Sequence, residues 1–130
     1  MDEIAAGLTG EVERRVTQAD TAERWGSGLV PVLGTPTLVA LMENAAVKAL
    51  ADDLPAGQTS VGGRMDVRHL APTPVGMAVR VRAELLEVDG RRLVFTVEAS
   101  DDVERIGEGT HERFIVDRDT FVAKAEAKGA

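Results

Sequence analysis

The sequence predicts an α+β domain in which an antiparallel sheet wraps around one long central helix. Three observations predict it. Residues Thr35 to Ala51 are apolar on almost every helical face. Between Met77 and Asp117 three runs alternate apolar and polar with a period of two, as half-buried strands do. Asp89-Gly90 between two of those runs is a strong hairpin signal. At 130 residues the chain suits one domain, taken as 1–130, with a modest core.

The elements follow in order. Glu11 to Gln18 alternates loosely through Val12 and Val16 and reads as a first strand. Trp25-Gly-Ser-Gly-Leu-Val-Pro31 carries loop signals. Thr35-Pro36 opens the helix: threonine can cap free backbone N–H groups, and proline is pre-shaped for the first turn. The helix is expected to reach Asp52 or Asp53, where Leu54-Pro-Ala-Gly57 stops it. Because Leu38, Val39, Leu41, Met42, Ala45, Ala46, Val47, Ala49 and Leu50 surround it, it should be buried on all sides. Thr59 to His69 is the second strand, interrupted by Gly62-Gly63, which reads as a bulge, a tight packing site or a place for ligand approach. Met77 to Val88 directs Val79, Val81, Ala83 and Leu85 one way, and Arg91 to Ser100 does the same with Leu93, Phe95, Val97 and Ala99. Arg105 to Asp117 is expected to set Ile106, Phe114 and Val116 inward, with Gly107, Gly109, His111 and Arg113 on its polar side. Asp119 to Lys128 reads as a short amphipathic helix. A sheet wrapped on a helix is the hotdog arrangement. One such sheet leaves apolar surface uncovered, so a homodimer is expected, with pairing of dimers left open.

Composition narrows the function. The net charge of −7 argues against nucleic acid as a partner. Without cysteine there are no disulfides or thiolate metal sites, and two distant histidines make a poor metal set. The acidic N-terminus lacks a signal-peptide core, and no run approaches a membrane span. A cytoplasmic protein with no metal and no organic cofactor is the expectation.

Three residues carry the candidate chemistry. Glu43 sits within the most apolar helix, where an unpaired carboxylate is costly. It reads either as a general base or nucleophile, or as one half of an ion pair with a strand arginine or a subunit contact through Lys48. Taken alone, the residues slightly favour the pair. His69 closes a strand before the rigid Leu70-Ala-Pro-Thr-Pro74 and can polarise a carbonyl, move a proton or cap a turn. Thr35 can bond a carboxylate or attack a carbonyl, but its position favours capping. His111 reads as structural or at the edge of a substrate site.

The block from Val32 to Arg113 resembles the fluoroacetyl-CoA thioesterase family of hotdog proteins. Gly34-Thr35, Leu41-Met-Glu43, Gly62, His69, Ala71-Pro-Thr-Pro-Val-Gly76, Val88-Asp-Gly-Arg-Arg-Leu93 and Gly107-Glu-Gly-Thr-His-Glu-Arg113 carry the resemblance. It implies a catalytic set of Thr35, Glu43 and His69, with Gly62 near the reacting carbonyl or water. It also implies an acyl-CoA substrate and a homodimer with sites at the subunit interface. Arg64, Arg68 and Arg91 are the candidates for binding CoA phosphates. The chain departs from the family pattern in having no phenylalanine before Phe95, Pro36 after the threonine and Asn44 after the glutamate. The resemblance therefore implies hydrolysis of a small acyl thioester and leaves open whether a fluorinated one is preferred. The alternatives are a non-catalytic hotdog module that binds an acyl thioester or other small ligand and, more weakly, a hydratase on the same fold.

Overall fold

The computed structural model describes residues 4–130. Strand β1 (Thr9–Arg15) leads through a short 3-10 turn (Gln18–Asp20) to helix α1 (Ala22–Trp25) and the central helix α2 (Thr35–Leu50). Then come β2 (Gln58–His69), β3 (Ala78–Asp89), β4 (Arg92–Asp101), β5 (Arg105–Asp117) and α3 (Arg118–Lys128). The five strands form one antiparallel sheet in the order β1-β3-β4-β5-β2. This is the expected hotdog.

The core follows the alternation in the sequence. Leu38, Met42, Ala45, Ala46 and Leu50 of α2 pack on Val79, Val81, Ala83 and Leu85 of β3 and on Leu93, Phe95, Val97 and Ala99 of β4. In register, Val81 faces Ala99, Ala83 faces Val97 and Leu85 faces Phe95, so three cross-strand pairs lie against the helix. The hairpin turns at Gly90, whose φ of +62° is a left-handed conformation that glycine adopts without cost. At the β1 edge of the sheet, β1 crosses α2 nearly backbone to backbone. A Cβ on Gly10 would lie 2.5 Å from the Ala49 nitrogen and collide with the Ala45 carbonyl. Alanines in α2 permit that approach and keep a high helix propensity.

Four expectations are revised. Helix α2 ends at Leu50, two or three residues early, with Ala51 as its cap. It is also not covered all round: Ala40, Asn44, Val47 and Lys48 are exposed, and Val39 is half-buried. A single sheet can cover only one side of a helix, and the other side of α2 remains open in one chain. Beyond Ile106, which is buried as expected, the faces of β5 are reversed. His111 and Arg113 are buried, whereas Phe114 is 37% exposed. The inner face of β5 passes α2 so closely that a Cβ on Gly107 would sit 3.0 Å from Leu38, leaving little room for bulky side chains there. Phe114 instead covers Gly63 on the outer face, where a Cβ would collide with its ring. Finally, α3 buries none of its residues. Among the described residues no helix is long and apolar enough to cross a membrane.

Candidate active site

Thr35 is the first residue of α2, and Gly34 precedes it as a cap without a side chain. A Cβ on Gly34 would lie 3.0 Å from the Ala22 backbone, so the chain enters the helix pressed against α1. Thr35 thus caps nothing, contrary to the positional expectation. Its hydroxyl Oγ1 lies 2.8 Å from Nδ1 of His69. A hydroxyl and an imidazole at that distance form a nucleophile and base pair when the imidazole nitrogen is bare. Burial pushes the His69 pKa down, and the Ala71 backbone opposes that shift. His69 Nε2 is buried without a hydrogen-bond partner.

His69 faces the helix because of the glycine pair. The register of β2 against β5 shifts between Gly62 and Arg64, which is a bulge with Gly63 as the extra residue. Ser60 and Gly62 point inward before it; Met65, Val67 and His69 do so after it. Without the extra residue the alternation would turn Arg68 inward and His69 out. The bulge therefore aims the imidazole at the start of α2.

Glu43 lies eight residues beyond Thr35, about 12 Å along the helix axis, and does not touch it. Its Oε2 accepts a hydrogen bond from Arg113 Nη1 at 3.2 Å. The Glu43 side chain is 42% exposed and that of Arg113 6%. Glu43 is thus paired and partly solvated rather than isolated in apolar surroundings. A Cβ on Gly62 would sit 2.5 Å from Glu43 Oε2, so glycine lets the carboxylate lie against the β2 backbone. Arg113 is held from three sides besides. Its Nε donates to Ser60 Oγ at 2.8 Å, Nη2 to the Ser60 carbonyl at 3.0 Å, and Nη1 to His111 Nε2 at 3.1 Å. Burial lowers the Arg113 pKa and Glu43 raises it again; an arginine remains charged under such opposing effects.

Arg113 and Ser60 are the site residues that sequence reading missed. The available signal was the alternation Gly107, Gly109, His111, Arg113, in which two glycines mark a face crowded by another element. The arginines expected to bind phosphates lie elsewhere. Arg64 and Arg68 alternate with the inward residues of β2 and so belong to the outer face. Arg64 pairs with Glu112 at 3.4 Å and Asp66 at 3.5 Å, and Arg91, in the β3–β4 turn, lies 3.6 Å from Asp117. Arg68 makes no ion pair or side-chain hydrogen bond among the described residues.

A cavity of about 330 Å³ opens beside Thr35 and His69, walled by Ala22, Gly28, Val30 and Ala71. The loop above it exposes Leu29 almost fully (91%). Trp25 anchors that loop through its indole N–H, which donates to Thr37 Oγ1 at 2.9 Å. A larger hollow of about 530 Å³ lies over β1, β3 and β4, away from these residues. Its Arg80, Arg82, Glu11 and Glu13 are engaged in ion pairs with one another.

Fold and similarity to known proteins together define a thioester hydrolase of the hotdog class. A solved thioesterase superfamily member from Thermus thermophilus superposes with a TM-score of 0.91 at 30% identity, covering 99% of this chain and 96% of that one. The chain belongs to the fluoroacetyl-CoA-specific thioesterase family, whose model matches residues 16–119. The fluoroacetyl-CoA thioesterase of Streptantibioticus cattleyicolor is 46% identical over 97 residues, which is 75% of this chain and 70% of that protein. A solved structure of a fluoroacetyl-CoA thioesterase superposes with a TM-score of 0.89 at 37% identity, covering 98% of each chain.

Proposed function

We propose that the protein hydrolyses a small acyl-CoA thioester, with Thr35, His69 and Glu43 as the catalytic set. The observation that carries this reading is the 2.8 Å contact between Thr35 Oγ1 and His69 Nδ1 beside a small cavity. Thr35 Oγ attacks the thioester carbonyl while His69 Nδ1 takes the hydroxyl proton. The C–S bond breaks, and the thiolate of CoA leaves with that proton. Water then attacks the acyl-threonine, again giving its proton to His69, and the carboxylic acid is released as Thr35 recovers its own. A thioester is already activated, so the site's main task is to align the attacking oxygen and the carbonyl.

Glu43 has a different part in this reading. One of its oxygens is engaged by Arg113, so the ion pair fixes the carboxylate as a directed acceptor across the site from the threonine. Within one chain it does not line the cavity beside Thr35, so in this reading it orients the hydrolytic water or the acyl group at a site completed by a second chain. Gly62 supplies the close backbone approach, and the small cavity walled by Ala22, Val30 and Ala71 suits a short acyl chain. Arg68, the one of these three arginines without an ion partner among the described residues, is the first candidate for a CoA phosphate, with Arg64 and Arg91 behind it. The open face of α2 and the free edge of β2 support a homodimer in which a second chain covers both. Glu43 and Gly62 lie next to those surfaces.

The test follows free-thiol release from acyl-CoAs of increasing chain length, fluoroacetyl-CoA included. Wild type is compared with Thr35→Ala, His69→Ala and Glu43→Ala. Turnover of short acyl-CoAs that falls in all three variants supports the assignment. Equal rates in wild type and Glu43→Ala would remove Glu43 from the set, and saturable binding without turnover would leave only a ligand-binding module.

A further inference from the structure

His111 is 1% exposed, and both its ring nitrogens have partners whose chemistry leaves no choice. Nδ1 lies 2.8 Å from the Arg64 carbonyl oxygen, which can only accept. Nε2 lies 3.1 Å from Arg113 Nη1, which can only donate. The ring must therefore carry its proton on Nδ1 and leave Nε2 bare. A charged imidazolium would place an N–H against the guanidinium and is excluded by that contact. We propose that His111 is a positioning residue: a neutral, Nδ1-protonated imidazole that fixes Arg113 and, through it, the carboxylate of Glu43.

Four elements converge to make this one unit. Strand β2 supplies the Arg64 carbonyl and, through Ser60, two acceptors for Arg113. Strand β4 sets the Phe95 ring against the imidazole, with centroids 6.2 Å apart. Strand β5 carries His111 and Arg113 two residues apart on one face, and α2 presents Glu43. Gly62 is the window between them, since a Cβ there would lie 3.5 Å from His111 Cε1 as well as against Glu43. The charged groups facing the imidazole are Arg113 and Glu43, and their effects on its charge oppose each other. Burial has the largest effect and keeps the ring neutral. His111 touches no reacting atom; it acts through Arg113.

The catalytic consequence rests on the thioesterase reading above, but the structural claim does not, and the experiment separates them. The chain has only two histidines, so nitrogen NMR of protein labelled at histidine resolves both, with His69→Gln used for assignment. At pH 7 the His111 signals should show a protonated Nδ1 and a bare Nε2. A protonated Nε2, or a charged ring, overturns the proposal whatever the activity. Activity then compares His111→Gln with His111→Asn at matched melting temperature. The longer Gln amide can still accept from Arg113, whereas the Asn amide reaches only toward the Arg64 carbonyl. The Gln variant should stay near the wild-type kcat, and the Asn variant should lose about 10- to 100-fold in kcat with KM little changed, as a misaligned group does. Two variants that match wild type, or that fall equally, overturn the positioning role. Wild type inactive on every acyl-CoA, with the expected tautomer seen, would sink the thioesterase reading and leave the arrangement of His111 and Arg113 standing.

Discussion

The two polar clusters along α2 are built in opposite ways. Thr35 and His69 share a single hydrogen bond; the threonine is exposed, and His69 Nε2 has no partner. Arg113 makes four hydrogen bonds, to Ser60 twice, His111 and Glu43, and is 5% exposed. A group with one partner can exchange it for a substrate atom at little cost. A group with four partners holds its place, because moving it leaves buried donors and acceptors unpaired. In the proposed mechanism one cluster reacts and the other stays fixed, and the helix sets the distance between them.

The strongest way to break that contrast is Arg113→Met. The substitution keeps much of the side-chain volume but leaves Ser60, His111 and Glu43 without their donor. Unsatisfied buried groups cost about 1–3 kcal/mol each, and at roughly 3–5 °C per kcal/mol for a chain of this size a melting temperature lower by at least about 10 °C is expected. Thiol release should fall by at least about 100-fold as Glu43 loses its orientation. A variant that melts like wild type would show that the second cluster is not fixed in the way its hydrogen bonds suggest.

Thr35→Ala is the matching probe of the first cluster and should separate the two readouts. Because the hydroxyl caps no backbone group, the melting temperature should stay within about 2 °C of wild type. Activity should fall by about 10²- to 10⁴-fold, and Thr35→Ser should recover part of it by restoring the hydroxyl. A loss of stability near 1 kcal/mol, typical of a removed cap, would return Thr35 to a capping role.

This pair of variants also shows what the sequence could and could not disclose. The strands β3 and β4 were legible residue by residue, because a two-sided sheet writes its inward face as alternation. Glu43 was legible as an anomaly, since one carboxylate among apolar helical residues needs a reason. Its partner was not. Arg113 lies 70 positions away, in a strand whose inner face is lined by glycine, histidine and arginine instead of apolar residues. Alternation alone assigned that face to solvent. Thr35 misled for a related reason: a threonine before a proline fits a helix cap, and only the fold brings His69 close enough to claim the hydroxyl. The Gly62-Gly63 bulge was visible as a possibility, but its consequence, a reversal of which side of β2 faces the helix, depends on the register with β5.

Gly62→Ala sharpens the contrast with a smaller effect. The added methyl meets the end of the Glu43 side chain, which can swing away, and no rigid backbone atom. Stability should hold or rise slightly, because alanine in a permitted conformation narrows the unfolded ensemble by about 0.4–1 kcal/mol. Activity should drop by about 10-fold, since the carboxylate is displaced from Arg113 while the first cluster is untouched. Activity and stability moving in opposite directions is the outcome to measure. A parallel loss of both would mean that Gly62 serves the strand and not the carboxylate.

The smallest expected effect is the dependence of stability on pH, and it too divides the clusters. Burial depresses the pKa of both His69 and His111 below the unfolded value of about 6.5. Above that pH both rings are neutral in either state and their contribution is complete. As the pH falls below it, the unfolded chain binds protons first, so stability is lost as the pH drops through the folded values. Asp20 and Asp101 titrate lower. Burial would raise them, but Arg14 and Thr17 around one, and the N–H groups of Val103 and Glu104 with Thr73 around the other, hold both below the usual carboxylate range. The interval between about pH 6.5 and 5 therefore belongs mainly to the histidines. His111 is enclosed beside a cation, whereas His69 is only half-buried. Melting temperature followed from pH 7 to 5 should flatten clearly in His111→Gln and only slightly in His69→Gln. Equal slopes in the two variants would mean that the fixed cluster is no more closed to a proton than the reactive one.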